Sequence, residues 1–128
     1  MPPIVFVGTV FSGKGEGKKF IGLPWVKSQI KEKLGLSPYA GTLNIRLNLE
    51  SAGKKILLGN ERASWIEPQT GYCPGVMFKA QIRDLDVAVV VPKMPNYPSD
   101  VLEVIAPICL REQLKLVDGC EVTILVSV

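Results

Sequence analysis

Between Thr42 and Leu49 the chain reads TLNIRLNL, and the alternation has no break. Leu43, Ile45, Leu47 and Leu49 fall on one side, with Thr42, Asn44, Arg46 and Asn48 on the other. A period of two belongs to an extended strand with one dry face and one wet face. Other segments share the β-branched and aromatic character of strands. They are Ile4 to Phe11, a short piece at Lys55 to Leu58, a pair at Gly75 to Leu85 and Asp86 to Val91, Val101 to Ala106, and Glu121 to Val128. Pro24 to Leu34 begins with proline and is followed by Gly35, which is helix punctuation. Its stripe is Val26, Ile30, Lys33 and Leu34, and Pro107 to Leu116 reads as a second short helix. Lys93 to Ser99 is too rich in proline for a central strand, and Ser51 to Pro74 reads mostly as a long surface loop. These elements do not alternate as βαβ units. The expected fold is mainly β: a small closed barrel of about six strands with two short helices, in a single domain over residues 1–128.

Composition narrows the chemistry. The 128 residues suit one domain, and 47% hydrophobic with 21% charged residues is a globular balance. The net charge of +3 fits a phosphorylated small molecule better than nucleic acid, and no basic run supports a nucleic-acid partner. The chain has no histidine, so acid-base work falls to carboxylates, lysines or tyrosines, and any metal is expected to be a hard cation on oxygen ligands. Cys73, Cys109 and Cys120 form no CxxC pair and read as small core residues, reduced in the cytoplasm. No apolar run is long enough to span a bilayer.

Ser12 to Lys19, SGKGEGKK, reads as a polar loop with glycines at 13, 15 and 17. Bare backbone of this kind can approach a ligand closely and aim successive amides at an anion, while Lys14, Lys18 and Lys19 add charge. The plain alternative is a flexible hairpin loop. GTVFSGKG (8–15) nearly spells a P-loop, but Gly15 stands where the magnesium-binding hydroxyl belongs. Its first glycine lies inside a strand, and the lysines are expected to lead into an apolar segment rather than open a helix. Thr42 and Asn44, two apart on a strand, share a face and offer two neutral oxygens to magnesium alongside phosphate and water. The plainer and commoner reading of such a pair is the solvated polar face of a strand. Glu103 interrupts the apolar VLEVIA, either as a ligand to a hydroxyl or as an exposed strand residue, and Arg111 is either a ligand contact or a surface arginine.

Taken together, SGKGEGKKF (12–20), PYAGTLNIRL (38–47), DVLEVIAP (100–107) and LREQLKLVDG (110–119) resemble the CTP-dependent riboflavin kinases of archaea, in this order and spacing. The resemblance implies a cradle-loop barrel that transfers the γ-phosphoryl of CTP to the 5′-hydroxyl of riboflavin, giving FMN and CDP with Mg2+. It implies that Gly13, Lys14, Gly15, Glu16, Gly17 and Lys18 bind the nucleotide, with Cys109, Leu110, Arg111 and Glu112 as a second nucleotide-contacting stretch. Thr42 and Asn44 become the metal ligands. Glu103 becomes a flavin-binding carboxylate and the candidate catalytic group. The chain departs from the pattern at Pro92-Lys93-Met94-Pro95, where the family often carries a flavin-contacting threonine in PxxT. Pro95 has neither hydroxyl nor amide hydrogen. Asn96 or Ser99 is left to substitute, unless the flavin is held differently. Met94, Tyr97 or aromatics of the long loop are candidates to line the flavin slot. The implied partners are riboflavin and CTP, with no nucleic acid and no membrane, for a monomer. The competing reading is a non-catalytic flavin- or nucleotide-binding barrel acting as a sensor or regulatory domain.

Overall fold

A computed structural model describes residues 2–59 and 63–127. The strands are β1 (Ile4–Phe11), β2 (Leu43–Leu47), β3 (Ser64–Ile66), β4 (Gly75–Ile82), β5 (Leu85–Pro92), β6 (Val101–Ile105) and β7 (Glu121–Val126). The helices are α1 (Glu16–Ile21), α2 (Pro24–Leu34), α3 (Leu49–Lys54) and α4 (Leu110–Gln113), with one 3-10 turn at Lys55–Leu57. Every pairing is antiparallel, in the order β3-β4-β5-β6-β2-β1-β7. The pairing of Ala80–Ile82 in β4 with Ile124–Val126 in β7 closes six strands into a barrel and leaves β3 outside. The expected small β-barrel is therefore present, with one strand and two short helices more than the sequence suggested.

Two hydrophobic layers explain the two kinds of strand pattern. Phe6, Val10, Ile45, Leu47, Phe78, Val89, Leu102, Val104 and Ile124 fill the barrel interior. Outside, Ile21, Val26 and Ile30 from α1 and α2 pack on Ile66, Met77, Ala88, Val90 and Ile105. Strands β4, β5 and β6 are thus covered on both faces, so GVMF, VAVVV and VLEVI read as nearly unbroken apolar runs. Strands β2 and β7 alternate because one of their faces is less covered. The α2 helix is clamped to β3 by polar contacts. The Gln29 side chain donates to the Glu67 carbonyl at 2.9 Å and accepts from its amide at 2.6 Å, and Lys33 Nζ donates to the Trp65 carbonyl.

Several local expectations need correction. Ser12 to Lys19 is not all loop: α1 begins at Glu16, so Lys18 and Lys19 lie in a helix. One contextual ground for setting a P-loop aside, that the lysines do not open a helix, therefore fails, whereas Gly8 does lie inside β1. Gly15 and the antiparallel pairing of β1 still set it aside. Ser51 to Pro74 carries most of α3, the 3-10 turn and β3, while residues 60–62 lie outside the described residues. Lys55 to Leu58 is that turn and not a strand. Leu49 does not join the dry face of β2 but is 92% exposed at the start of α3, because Asn48 breaks the strand and caps the helix. The second short helix starts at Leu110 rather than Pro107. None of the cysteines is fully buried: Cys73 is exposed, and Cys109 and Cys120 are half-buried. No helix among the described residues is long and apolar enough to cross a membrane.

The start of α3 replaces ladder bonds that β2 can no longer make. Asn48 N–H donates to the Val7 carbonyl at 3.0 Å, and Val7 N–H donates to Ser51 Oγ at 2.7 Å. Ser51 is 2% exposed, and its amide donates to Asn48 Oδ1 at 2.8 Å. Replacing it with alanine leaves the Val7 N–H without its partner, so Ser51→Ala should cost about 1–3 kcal/mol in denaturant unfolding. At the other end of β1, Asp118 accepts from Arg111 at 2.7 Å and from Ser12 Oγ at 2.8 Å. Those hydrogen bonds, chiefly from Arg111, hold the Asp118 carboxyl below its usual pKa. A depressed carboxylate contributes stability that is present above its unfolded pKa and lost as pH falls through its folded pKa. The stability gap between the protein and Asp118→Asn should thus be open at neutral pH and close on acidification below the ordinary aspartate pKa of 3.8, read by urea melts across pH.

Candidate active site

Register places the polar residues of the outer barrel face in one row. Phe11 of β1 lies opposite Asn44 of β2, Asn44 opposite Glu103 of β6, and Glu103 opposite Val90 of β5. Glu103 is the one charged residue in a strand whose other four residues are buried, and it is itself half-buried. Thr42, just before β2, shares the face of Asn44. Its Oγ1 lies 3.2 Å from Asn44 Oδ1 and 3.1 Å from Glu103 Oε1, two acceptors for one hydroxyl proton. The second carboxylate oxygen, Oε2, accepts from Tyr97 Oη at 2.5 Å.

The glycine segment lies directly on this row. A Cβ on Gly13 would stand 2.6 Å from Asn44 Nδ2, and one on Gly17 would stand 2.5 Å from Thr42 Oγ1 and 2.9 Å from Glu103 Oε1. Only a residue without a side chain lets the backbone come this close. The glycines therefore bring the loop onto Thr42, Asn44 and Glu103. Gly15, in a left-handed conformation with φ of 83°, precedes α1. Lys14 of the loop and Lys18 of α1 stay exposed at the rim.

Around the row lies a cavity of about 860 Å3. Gly13, Lys14, Gly15, Glu16, Gly17, Lys18, Thr42, Asn44, Pro95, Asn96, Glu103 and Arg111 all line it, which brings together residues far apart in the chain. The structure places the rest of the second stretch differently. Cys109 precedes α4, Leu110 is a core residue at 5% exposure, and Glu112 is exposed, none of them on the cavity wall. Arg111 reaches the cavity while tying α4 to the loop: it donates to the Phe11 carbonyl at 3.2 Å, to Ser12 Oγ at 3.3 Å and to Asp118 at 2.7 Å. Pro95 and Asn96 are exposed on the rim, and Asn96 has a positive φ of 63°. Ser99 is exposed and is not part of the wall.

Some wall residues had no role in the sequence reading. Arg46 continues the Thr42 and Asn44 face of β2, sits 4.6 Å over the Phe11 ring and pairs with Asp100 at 3.5 Å. Strand alternation alone could have flagged it. Phe20 and Tyr72 line the apolar part and pack with Trp25, with ring centroids 5.2–6.4 Å apart. Tyr72 comes from the β3–β4 connection and is one of the aromatics of Ser51 to Pro74 expected as candidates for the flavin slot, whereas no local signal marks Phe20. Among the described residues no group of three or more histidines, cysteines or carboxylates is placed to hold a metal ion. A cation here would therefore have few protein ligands and would need oxygens from water or a bound phosphate to complete its shell.

Known proteins resemble this chain over most of its length. A family model with the short name CTP-dep_RFKase, described as a domain of unknown function, DUF120, matches residues 10–126. A curated riboflavin kinase from Archaeoglobus fulgidus is 40% identical over 88% of this chain and 50% of its own length. One from Ignicoccus hospitalis is 38% identical over 97% of this chain and 72% of its own length. A third, from Methanosarcina barkeri, is 37% identical over 91% of this chain and 54% of its own length. The chain thus spans about half the length of two of these three relatives. The match runs from the end of β1 through β7, and so includes the loop, Thr42, Asn44 and Glu103: the chain belongs to the CTP-dependent riboflavin kinase family.

Proposed function

We propose that this protein phosphorylates riboflavin, transferring the γ-phosphoryl of CTP to the ribityl 5′-hydroxyl to give FMN and CDP with Mg2+. The observation that carries this reading is the contact of Gly13 and Gly17 with Asn44, Thr42 and Glu103. It joins a cationic, backbone-rich loop to a carboxylate and two neutral oxygens in one cavity. Phosphoryl transfer asks mainly for positioning and charge stabilisation, and these groups supply both. Membership in the riboflavin kinase family supports the acceptor, and the family model's name supports CTP as donor.

The donor set fits magnesium. Thr42 Oγ1 and Asn44 Oδ1 are 3.2 Å apart, close to the spacing of about 2.9 Å between adjacent ligands in an octahedron with 2.0–2.1 Å bonds. Two uncharged ligands hold such an ion weakly by themselves, so Thr42 and Asn44 would hold it together with the triphosphate, whose charge it would help to neutralise. The loop amides and Lys14 and Lys18 hold the phosphate chain. Glu103 orients the acceptor hydroxyl and takes up its proton late, since a loose transition state does not need a strong base. The aromatic wall of Phe20 and Tyr72, with Met94 at the rim, offers the apolar surface that a flavin ring needs.

The direct test incubates the protein with riboflavin, Mg2+ and each of four nucleoside triphosphates, then assays FMN. CTP should be the best donor, and Thr42→Ala with Asn44→Ala should abolish turnover while leaving the circular dichroism spectrum intact. Riboflavin binding without FMN from any donor would instead favour a sensor, and FMN formation indifferent to the base would remove the assignment of CTP. A second outcome follows from the loop contact. Gly17→Ala inserts a methyl between Thr42 and Glu103, and a misplacement of this kind should lower kcat/KM by about a hundredfold with little change in Tm.

A further inference from the structure

Glu103 is held at both ends of its carboxylate, by Thr42 on Oε1 and by Tyr97 on Oε2. Each oxygen keeps one further lone pair for another donor. Two anchored oxygens also fix the plane of the group, which a single hydrogen bond does not. Tyr97 reaches Glu103 from a stiff segment. Pro92, Pro95 and Pro98 restrict the backbone at every third residue, and the Tyr97 amide donates to the Met94 carbonyl at 3.3 Å. Within this segment Met94, Pro95, Asn96 and Pro98 are exposed, whereas Tyr97 turns inward.

The phenol is braced from behind. Lys55 Nζ lies 5.3 Å from the Tyr97 ring centroid and donates to the Val101 carbonyl at 2.9 Å and to the Pro98 carbonyl at 3.4 Å. One ammonium thus ties the 3-10 turn to the chain just after the tyrosine, at Pro98 and Val101, and sits over its ring. Burial pushes the Tyr97 hydroxyl well above its ordinary pKa, and the hydrogen bond to Glu103 and its charge push the same way. The phenol therefore keeps its proton and stays a donor.

We propose that Tyr97 is a positioning residue: its hydroxyl, braced by Lys55, fixes the Glu103 carboxylate in the orientation that receives the acceptor hydroxyl. This rests on the reading of the site as a riboflavin kinase. It also places a hydroxyl in the proline-rich segment, where Pro95 has none to offer. Because Tyr97 acts through Glu103, its effect is confined to the acceptor side and disappears when Glu103 is neutralised.

The test is a double-mutant cycle of Tyr97→Phe and Glu103→Gln, with KM and kcat measured separately for riboflavin and CTP. Tyr97→Phe keeps the ring beneath Lys55 and removes only the hydroxyl. It should lower kcat/KM for riboflavin about tenfold or more while the KM for CTP stays within about twofold. In the Glu103→Gln background the same change should alter kcat/KM by less than about twofold, the signature of two residues acting as a unit. Lys55→Met, which leaves the hydroxyl in place, carries the same cycle should Tyr97→Phe fail to fold. Wild-type turnover of riboflavin in Tyr97→Phe, or an equal loss with and without Glu103, would overturn the proposal. If the unaltered protein makes no FMN from any triphosphate, the kinase reading falls, and the cycle is read instead as riboflavin affinity by quenching of flavin fluorescence. Absence of riboflavin binding as well removes both.

Discussion

A carboxylate on a strand packed from both sides is costly unless its oxygens are satisfied. Glu103 meets that condition through two hydroxyls from different parts of the chain. Thr42 reaches it because β2 pairs with β6 in the register that sets Asn44 opposite Glu103. Tyr97 reaches it because the proline-rich link before β6 folds back over the strand. The helical layer covers the rest of this barrel face with Ile21, Val26 and Ile30, and the cavity lies where that layer gives way to the glycine loop. A barrel that only needed stability would place an apolar residue here, as β6 does at its other positions.

Much of the frame could be read from local pattern. Ile4 to Phe11 and Pro24 to Leu34 have the bounds the sequence suggested, since glycine and proline punctuate both. The pairing of β4 with β5 turns at Arg83 and Asp84, next to the expected place. Thr42, Asn44 and Glu103 were singled out because polar residues at those positions break or complete a simple period. Their proximity could not be read, because it depends on the register between β2 and β6, which no local signal encodes.

What was misread follows from interactions between segments. The α1 helix was hidden by Gly17, a poor helix former that is there to let the backbone approach Thr42 and Glu103. Leu49 looked like the end of a strand because its spacing continued the alternation, but Asn48 caps α3 just before it. Arg111 looked like a ligand residue or a surface arginine. In the structure it lines the cavity and also buttresses the loop by bonding Phe11, Ser12 and Asp118. The ring of Tyr97 suits a flavin slot, but its hydroxyl, on Glu103, makes the shorter contact.

The edge of β4 is divided between two neighbours, β3 along Gly75–Met77 and β7 along Ala80–Ile82. The far side of β3 is in turn engaged by side chains of α2, with Gln29 bonding the Glu67 backbone in both directions and Lys33 bonding the Trp65 carbonyl. Among the described residues, the barrel therefore offers no long bare margin onto which a foreign strand could be added. Any additional segment of a longer polypeptide containing this unit would have to be joined through side chains and loops, leaving the hydrogen-bonded sheet as a closed module.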